Sequence, residues 1–447
     1  MGLTLIRKSS GHPPKRNPRI ALVLAGGAVS GGAFKVGGLK ALDDYFVGRG
    51  VDDFDMYVGL SAGSILAIPL AAGIDPDEMV RVLEGTSDRF DQLRPIDFYY
   101  PNLGEFVGRP ARYAYELASY LPGLTADFLR GLPTLGDELG EQTRKFLRDP
   151  GYTALEGLAM GVIKHTAPKR QLPSISNHVP SGLFDNSSLE RWMRRGLENI
   201  GMPNDFRAFN RRRKRQLFVS ACNLDTAERV IFGADENADV SISQAMQAST
   251  ALPGFFKPAR VNGIDYVDGG VRNTANIDVA IEKGADLIVC YNPFRPFFNE
   301  AADASMDEHG SLSTGRYLSD QGLKVVINQV MRTLLHSRLK LAMQRYLADE
   351  RFQGDIVLLE PREQEAEFFA LNPLAFWKRG DAVEHGFTSV RQTIEQNFEP
   401  LRDVFGHYGL EMSRDAAAEK AMQAHEERGW RHEVSEEDRP ALRLVGV

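Results

Sequence analysis

The sequence predicts an α/β fold with a parallel sheet, and three observations support this prediction. From residue 19 to about residue 75, strand, helix, strand and helix patterns follow one another, which is the order that builds parallel strands with right-handed crossovers. The runs Ile20–Leu24 and Asp286–Tyr291 are apolar without alternation, as expected for strands buried on both faces. Glycine-rich turns join the first two strands to the helices that follow them.

Composition sets the broad class of protein. The 447 residues are enough for one large domain with an extension, or for two domains. The formal net charge of −7 argues against nucleic acid as a partner. Cys222 and Cys290 lie in strand-like apolar runs, so we expect reduced thiols and a cytoplasmic location. The nine histidines show no metal-ligand spacing, and we expect neither a metal nor another cofactor.

The chain divides into four predicted regions. Residues 1–18 are basic and proline-containing without a secretory apolar core, which predicts a disordered arm. Residues 19–295 form the catalytic domain, interrupted at 97–150 by a helical, aromatic-rich insertion that is either a lid facing lipid or a packed subdomain. Residues 296–411 are a helical extension with one added strand, and 412–447 are a charged tail. No run of about 18 apolar residues occurs, so no membrane span is expected.

The pentapeptide Gly59-Leu60-Ser61-Ala62-Gly63 is the strongest functional signal. It follows the apolar run Asp55–Leu60 and opens the apolar helical stretch Ala62–Ala72. A G-x-S-x-G sequence between a strand and a helix predicts a nucleophile elbow, in which a tight turn presents a serine hydroxyl beside the positive end of the helix. Gly59 and Gly63 fit because a Cβ on either side would crowd this turn.

A second glycine-rich turn, Gly26-Gly27-Ala28-Val29-Ser30-Gly31-Gly32, joins the strand Ile20–Leu24 to a helix. Free backbone N–H groups at such a turn favour an anion. The dinucleotide fingerprint is broken because position 28 is alanine, and no Gly-Lys-Ser/Thr closes a P-loop. The residues therefore favour an oxyanion hole over a phosphate site, with a packing turn as the alternative.

A third segment, Asp268-Gly269-Gly270, follows the short strand Ile264–Val267. A carboxylate at a strand end can be held rigidly against a neighbouring strand end and accept a proton from a serine. Taken alone, the segment is better explained as an ordinary Asp-Gly turn.

Together these segments resemble the patatin-like phospholipases, a family of lipid acyl hydrolases. The similarity covers roughly residues 19 to 292 and includes the stretch Ala248–Phe256 ahead of the Asp268 strand. The resemblance implies a three-layer α/β/α sandwich around a mostly parallel sheet. It also implies that Ser61 is the nucleophile, that Asp268 is its sole partner, and that Gly26–Gly31 supply the oxyanion hole.

One departure from the family pattern lies in the glycine-rich loop. The family usually has Gly-Gly-Gly-x-Arg/Lys-Gly, and the basic position falls on Ser30 or Gly31 depending on the register. Neither residue is basic, which puts catalytic efficiency in doubt. Lys35 is the nearest cation, but it lies on the following helix, where it can face solvent.

Three functional hypotheses remain. The first is a serine acyl hydrolase with a Ser61–Asp268 dyad, acting on phospholipids or other lipid esters, with peripheral membrane contact. The second is a Ser-Asp-His triad, because His309, His336 and His385 follow Asp268 in the order used by α/β-hydrolases. The third is a catalytically weak protein that binds lipid or anions. The sequence does not indicate an oligomeric state.

Overall fold

The computed structural model describes residues 2–11, 13, 15–148, 175–299, 317–363 and 365–423. The strands are β1 (Leu3–Ile6), β2 (Ile20–Leu24), β3 (Phe46–Val47), β4 (Met56–Leu60), β5 (Gly182–Phe184), β6 (Gln216–Asn223), β7 (Arg229–Phe232), β8 (Gly254–Phe256), β9 (Ala259–Val261), β10 (Ile264–Asp268), β11 (Leu287–Tyr291), β12 (Asp355–Leu359) and β13 (Glu411–Met412).

The helices alternate with these strands over most of the chain. They are α1 (Ala28–Asp44), α2 (Ala62–Ala72), α3 (Pro76–Glu84), α4 (Pro95–Phe98), α5 (Leu103–Arg148), α6 (Ser187–Asn199), α7 (Phe206–Arg213), α8 (Ile242–Ser249), α9 (Ile277–Glu282), α10 (Leu323–Ala348), α11 (Ala366–Ala370), α12 (Arg379–Gln396) and α13 (Phe398–His407). Short 3-10 turns span Val51–Asp53, Ile175–His178, Gly269–Val271, Leu318–Gln321 and Phe376–Lys378.

A mixed sheet forms the centre of the fold. In the described part of the chain it has nine strands in the order β1-β12-β11-β2-β4-β6-β10-β9, with β7 also paired to β6. The five strands from β12 to β6 are parallel, and antiparallel strands complete both edges. The parallel strands are mostly apolar, as expected for strands whose two faces are both covered by helices.

Alternate residues of each strand belong to two separate cores. Leu22, Tyr57 and Val289 pack in the larger core with α1, α2, α8, α12 and α13. Val23 and Cys290 point to the opposite face, where they pack with α9 and α10. This arrangement confirms the three-layer α/β/α sandwich.

The predicted disordered arm at residues 1–18 is wrong for its first part. Leu3–Ile6 form β1, which pairs antiparallel with Asp355–Leu359 of β12. The Ser9 hydroxyl then donates to Asp355 Oδ2 at 2.6 Å. The strand was missed because its four residues gain their hydrogen bonds only from a segment far away in the chain.

The predicted start of the charged tail at residue 412 is also wrong. Glu411–Met412 pair with Phe46–Val47, and residues 414–423 are helical. Lys420 donates to the carbonyl oxygen of Asp43 at 2.8 Å. The rest of the predicted tail, 424–447, lies outside the described residues.

The aromatic-rich region contributes to two compact units. One unit comprises Met1–Tyr100 and Phe184–Val447, and the other comprises Pro101–Leu183. Within the second unit, α5 is the main element, and the ring of Tyr113 lies 5.1 Å from that of His178. The predicted insertion at 97–150 therefore begins within a few residues of this unit, while residues 149–174 lie outside the described part.

Candidate active site

Ser61 lies on a sharp turn between β4 and α2. Its backbone is in a sparsely populated region, with φ 53° and ψ −129°, which is typical of strain maintained at functional sites. The turn brings α2 against neighbouring backbone, since a Cβ on Gly63 would lie 2.1 Å from the carbonyl oxygen of Leu24. A Cβ on Gly59 would lie 2.6 Å from Ser64 Cα. A strained serine between a strand and a helix is the geometry expected for the predicted nucleophile elbow.

The strained turn is held by a contact that sequence reasoning missed. The N–H of Ser61 donates to Oγ of Ser249, the last residue of α8, at 2.8 Å. Ser249 is fully buried. It belongs to the stretch Ala248–Phe256 on which the family resemblance rests, but nothing in its local sequence indicates a partner on another element.

Asp268 reaches the same edge of the sheet from β10. Ala221 pairs with Asp268 and Ser220 pairs with Leu60, so β6 lies between the two candidate catalytic residues. The N–H of Asp268 donates to the Ala251 carbonyl at 2.9 Å. These contacts fix the carboxylate at the level of the Ser61 turn.

The two glycines after Asp268 position its side chain. Gly269 packs so closely that a Cβ would lie 2.7 Å from the Ser220 carbonyl oxygen. The N–H of Gly270 donates to Asp268 Oδ1 at 2.7 Å. The segment is therefore a side-chain-capped turn that orients the carboxylate.

Burial is the main influence on the Asp268 carboxyl group and raises its pKa to about 6. Three weaker effects oppose this: the neighbouring Ser61 hydroxyl, the amide of Gly270 and the charge of Lys35 each lower the pKa. A carboxylate with a pKa near neutrality and a serine hydroxyl beside it is the arrangement expected of a general base.

The structure restricts the predicted oxyanion donors in Gly26–Gly31. The N–H groups of Val29 and Ser30 both donate to the Pro373 carbonyl at 3.0 Å, and the N–H of Gly31 donates to the Gly27 carbonyl at 2.9 Å. These three predicted donors are therefore occupied. Within the described part of the chain, the N–H groups of Gly26, Gly27 and Ala28 have no hydrogen-bond acceptor. The donors that remain are at the start of the loop.

Lys35 does not face solvent, in contrast to the simplest expectation for its helix position. Its side chain is fully buried. The ammonium group donates to the carbonyl of Ala25 and, at 2.9 Å, to that of Gly26. Burial lowers the pKa of Lys35 to about 7, and the nearby Cys290 and Asp268 act in the opposite direction. A cation from α1 therefore lies against the loop that lacks its own Arg or Lys.

A cavity of about 960 Å³ contains these groups. Ser61, Asp268, Gly27 and Ala28 lie in its wall. The rest of the lining is mostly apolar, with examples in Ile65, Phe98, Leu189, Phe255, Leu335 and Leu374. An apolar cavity with few polar groups is typical of sites for largely apolar ligands.

The histidines considered for a triad lie elsewhere. His336 lies with its Nε2 3.4 Å from Glu360 Oε2, and His385 is on α12. His309 lies outside the described residues. Among the described residues, the wall of the Ser61 cavity contains no histidine.

No helix in the described segments combines the length and the apolar character needed to cross a bilayer.

Known proteins that resemble parts of this chain include one named as a lipid hydrolase and one named as a phospholipase. A lipid hydrolase of Invertebrate iridescent virus 6, named "Probable lipid hydrolase 463L", is 30% identical over 145 residues, which is 31% of this chain. The match spans 49% of the viral protein, about half of its length.

Solved structures with detectable similarity are more distant. VipD from Legionella pneumophila is 16% identical with a TM-score of 0.34, and the aligned region covers 88% of this chain and 70% of the VipD chain. ExoU of Pseudomonas aeruginosa, solved in complex with SpcU, is 18% identical with a TM-score of 0.28, and the aligned region covers 88% of this chain and 63% of the other. Human GIVD cytosolic phospholipase A2 is 11% identical with a TM-score of 0.29, and the aligned region covers 88% of this chain and 59% of the other.

The family model of the patatin-like phospholipases matches residues 22–281, more than half of the chain. The match includes the glycine-rich loop, the Ser61 turn and the Asp268 segment. The chain belongs to the patatin-like phospholipase family.

Proposed function

We propose that this protein hydrolyses lipid acyl esters, with Ser61 as nucleophile and Asp268 as general base. The observation that carries the proposal is that a serine on a strained elbow and a buried carboxylate lie in the wall of the same apolar cavity. Phospholipids or other lipid esters are the proposed substrates, in line with the family to which the chain belongs.

The proposed reaction has two halves. Ser61 Oγ attacks the ester carbonyl while its proton moves to Asp268, and the N–H groups of Gly27 and Ala28 stabilise the oxyanion. Collapse of this intermediate expels the alcohol, which takes the proton from Asp268. Water then attacks the acyl-enzyme with the same carboxylate as base, which releases the fatty acid and restores Ser61.

Lys35 is the proposed positioning residue for this chemistry. By holding the carbonyl oxygens of Ala25 and Gly26, it fixes the two peptide planes that carry the N–H groups of Gly26 and Gly27. Its charge also favours the ionised form of Asp268. These contacts support a role for Lys35 in place of the basic residue that the loop lacks.

One observation favours a second candidate function, a catalytically weak protein that binds lipid or anions. The Pro373 carbonyl occupies the N–H groups of Val29 and Ser30, which leaves fewer donors for an oxyanion. Hydrolysis of a lipid extract, followed by mass analysis of the products, separates the two. The proposal expects released fatty acid and a lysolipid or alcohol, whereas unchanged lipids retained on the protein would favour binding alone.

A further inference from the structure

The helix α10 is apolar on two opposite faces. Leu335, Leu339 and Met343 on its inner face are buried. Apolar residues at helical spacing also form a stripe on the outer face, and the side chain of each residue in this outer stripe is at least half exposed. This outer stripe comprises Leu323, Ile327, Val330, Met331, Leu334 and Leu341. A surface helix of a globular protein usually presents polar residues on its outer face, so the stripe needs an explanation.

Hydrogen bonds fix which face of α10 points outward. Arg338 donates to the carbonyl oxygens of Val271 and Arg272 at 2.9 and 3.2 Å. The Thr274 hydroxyl donates to the Leu335 carbonyl at 2.8 Å, and Arg332 donates to the Pro293 carbonyl at 3.2 Å. The helix therefore cannot bury the outer stripe by rotating about its axis without losing these contacts.

The charge of α10 is unlike that of the whole chain. The helix contains no aspartate or glutamate, while the full sequence has a net charge of −7. Its exposed cations are Lys324, Arg338, Lys340 and Arg345, while Arg332 is buried. Exposed apolar side chains combined with lysine and arginine favour an apolar surface that carries negative charge, which is the chemistry of an anionic bilayer. Two copies of α10 packed together would instead bring cations against cations.

The outer stripe is continuous with the catalytic cavity. Ile327 and Met331 belong both to the stripe and to the wall of the cavity that contains Ser61. Lys324 and Arg338 lie in the same wall. We propose that the outer stripe of α10 docks on the surface of an anionic membrane, so that the cavity faces the lipid layer. The inference rests on the proposed lipid ester hydrolysis, since docking there brings substrate to Ser61.

Vesicle binding by the full chain tests this inference. The parent protein carries Ser61→Ala, so that lipid is not hydrolysed during the measurement. Binding is measured by sedimentation with vesicles of phosphatidylcholine, either alone or with phosphatidylserine added. The test variant carries Leu323→Gln, Val330→Gln and Leu334→Gln, three stripe residues outside the cavity wall. The matched control carries Val47→Gln, Leu224→Gln and Ile264→Gln, which are exposed apolar residues on other elements.

The stripe variant should lose at least about tenfold in affinity for the phosphatidylserine vesicles, because three apolar side chains no longer enter the interface. The control should bind like the parent. Lys340→Gln with Arg345→Gln should weaken binding by roughly fivefold per cation on anionic vesicles only. High salt should reduce the binding of the parent in the same way.

Two results would overturn the inference. One is equal vesicle binding by the stripe variant and the control. The other is a shift from dimer to monomer in sedimentation velocity for the stripe variant with vesicle binding unchanged, which would make the stripe a contact between copies. Turnover of a soluble short-chain ester by the same variants with Ser61 restored tests the proposed function separately. The stripe variant should keep that turnover.

Discussion

The ammonium nitrogen of Lys35 lies 2.9 Å from the carbonyl oxygen of Gly26, at the start of the glycine-rich loop. The contact joins a fully buried cation to the backbone that leads into Gly27 and Ala28, the two proposed oxyanion donors. Burial opposes the charged form of Lys35, and its pKa is lowered to about 7. A lysine retained in such a place is expected to serve the site more than the stability of the fold.

The variant Lys35→Met tests that role. We expect kcat on a soluble ester to fall by up to about 10², the lower end of the loss seen when one oxyanion donor is removed. The KM should change little, because Lys35 lies under the loop and not in the cavity wall. Lys40→Met is the matched control, since Lys40 lies on the same helix and pairs with Asp44 and Asp77 instead. Equal losses of kcat in both variants would refute the role.

The pH dependence of kcat/KM should reflect two groups. Asp268 acts as a base only when ionised, so activity should fall about tenfold per pH unit below its pKa of about 6. Lys35 supports the loop when protonated, so activity should decline above its pKa of about 7. In Lys35→Met the alkaline decline should disappear. The acid limb should move to higher pH, because the cation that lowers the pKa of Asp268 is gone. Identical profiles for the two proteins would contradict this assignment.

Asp268→Asn keeps the shape of the side chain but removes the proton acceptor. We expect a loss of about 10³ in kcat with the fold intact, within the usual range for a general base. His336→Gln is the control, because His336 lies against Glu360 outside the cavity wall. A large loss in His336→Gln with little loss in Asp268→Asn would favour the triad.

The insertion at 97–150 remains a predicted lid or lipid-facing segment. Tyr115 is exposed in the unit formed by Pro101–Leu183. Tyr115→Ser should lower hydrolysis of vesicle lipids several-fold more than hydrolysis of a soluble ester, because aromatic rings favour the headgroup boundary. Leu224→Ser, at an exposed position on the other unit, is the control. Equal effects on both substrates would support the packed-subdomain alternative.

Local sequence was enough to predict the elements that carry the site. The Ser61 elbow and the glycine-rich loop each depend on a strand, a turn and a helix that are adjacent in the chain. The parallel core was predictable for the same reason, since its strands are apolar runs bounded by clear turns.

Contacts between distant segments were not predictable. Whether Lys35 points inward depends on the packing of α1 against the sheet, and the carbonyl that occupies Val29 and Ser30 comes from Pro373, outside the family match. β1 likewise exists only through its pairing with β12. In each case a single residue or a short segment obtains its conformation from a partner that local propensity does not specify.

The most direct test of the central claim is the reaction of the protein with a fluorophosphonate probe, read as intact mass and by peptide mapping. The wild-type chain should gain one adduct, located on Ser61, and Ser61→Ala should gain none while retaining its circular dichroism spectrum. Ser64→Ala is the matched control, because Ser64 lies one turn further along α2 and its hydroxyl donates to the Ser61 carbonyl. That variant should still be labelled at Ser61. An adduct on any other residue, or undiminished labelling of Ser61→Ala, would contradict the assignment of Ser61 as the nucleophile.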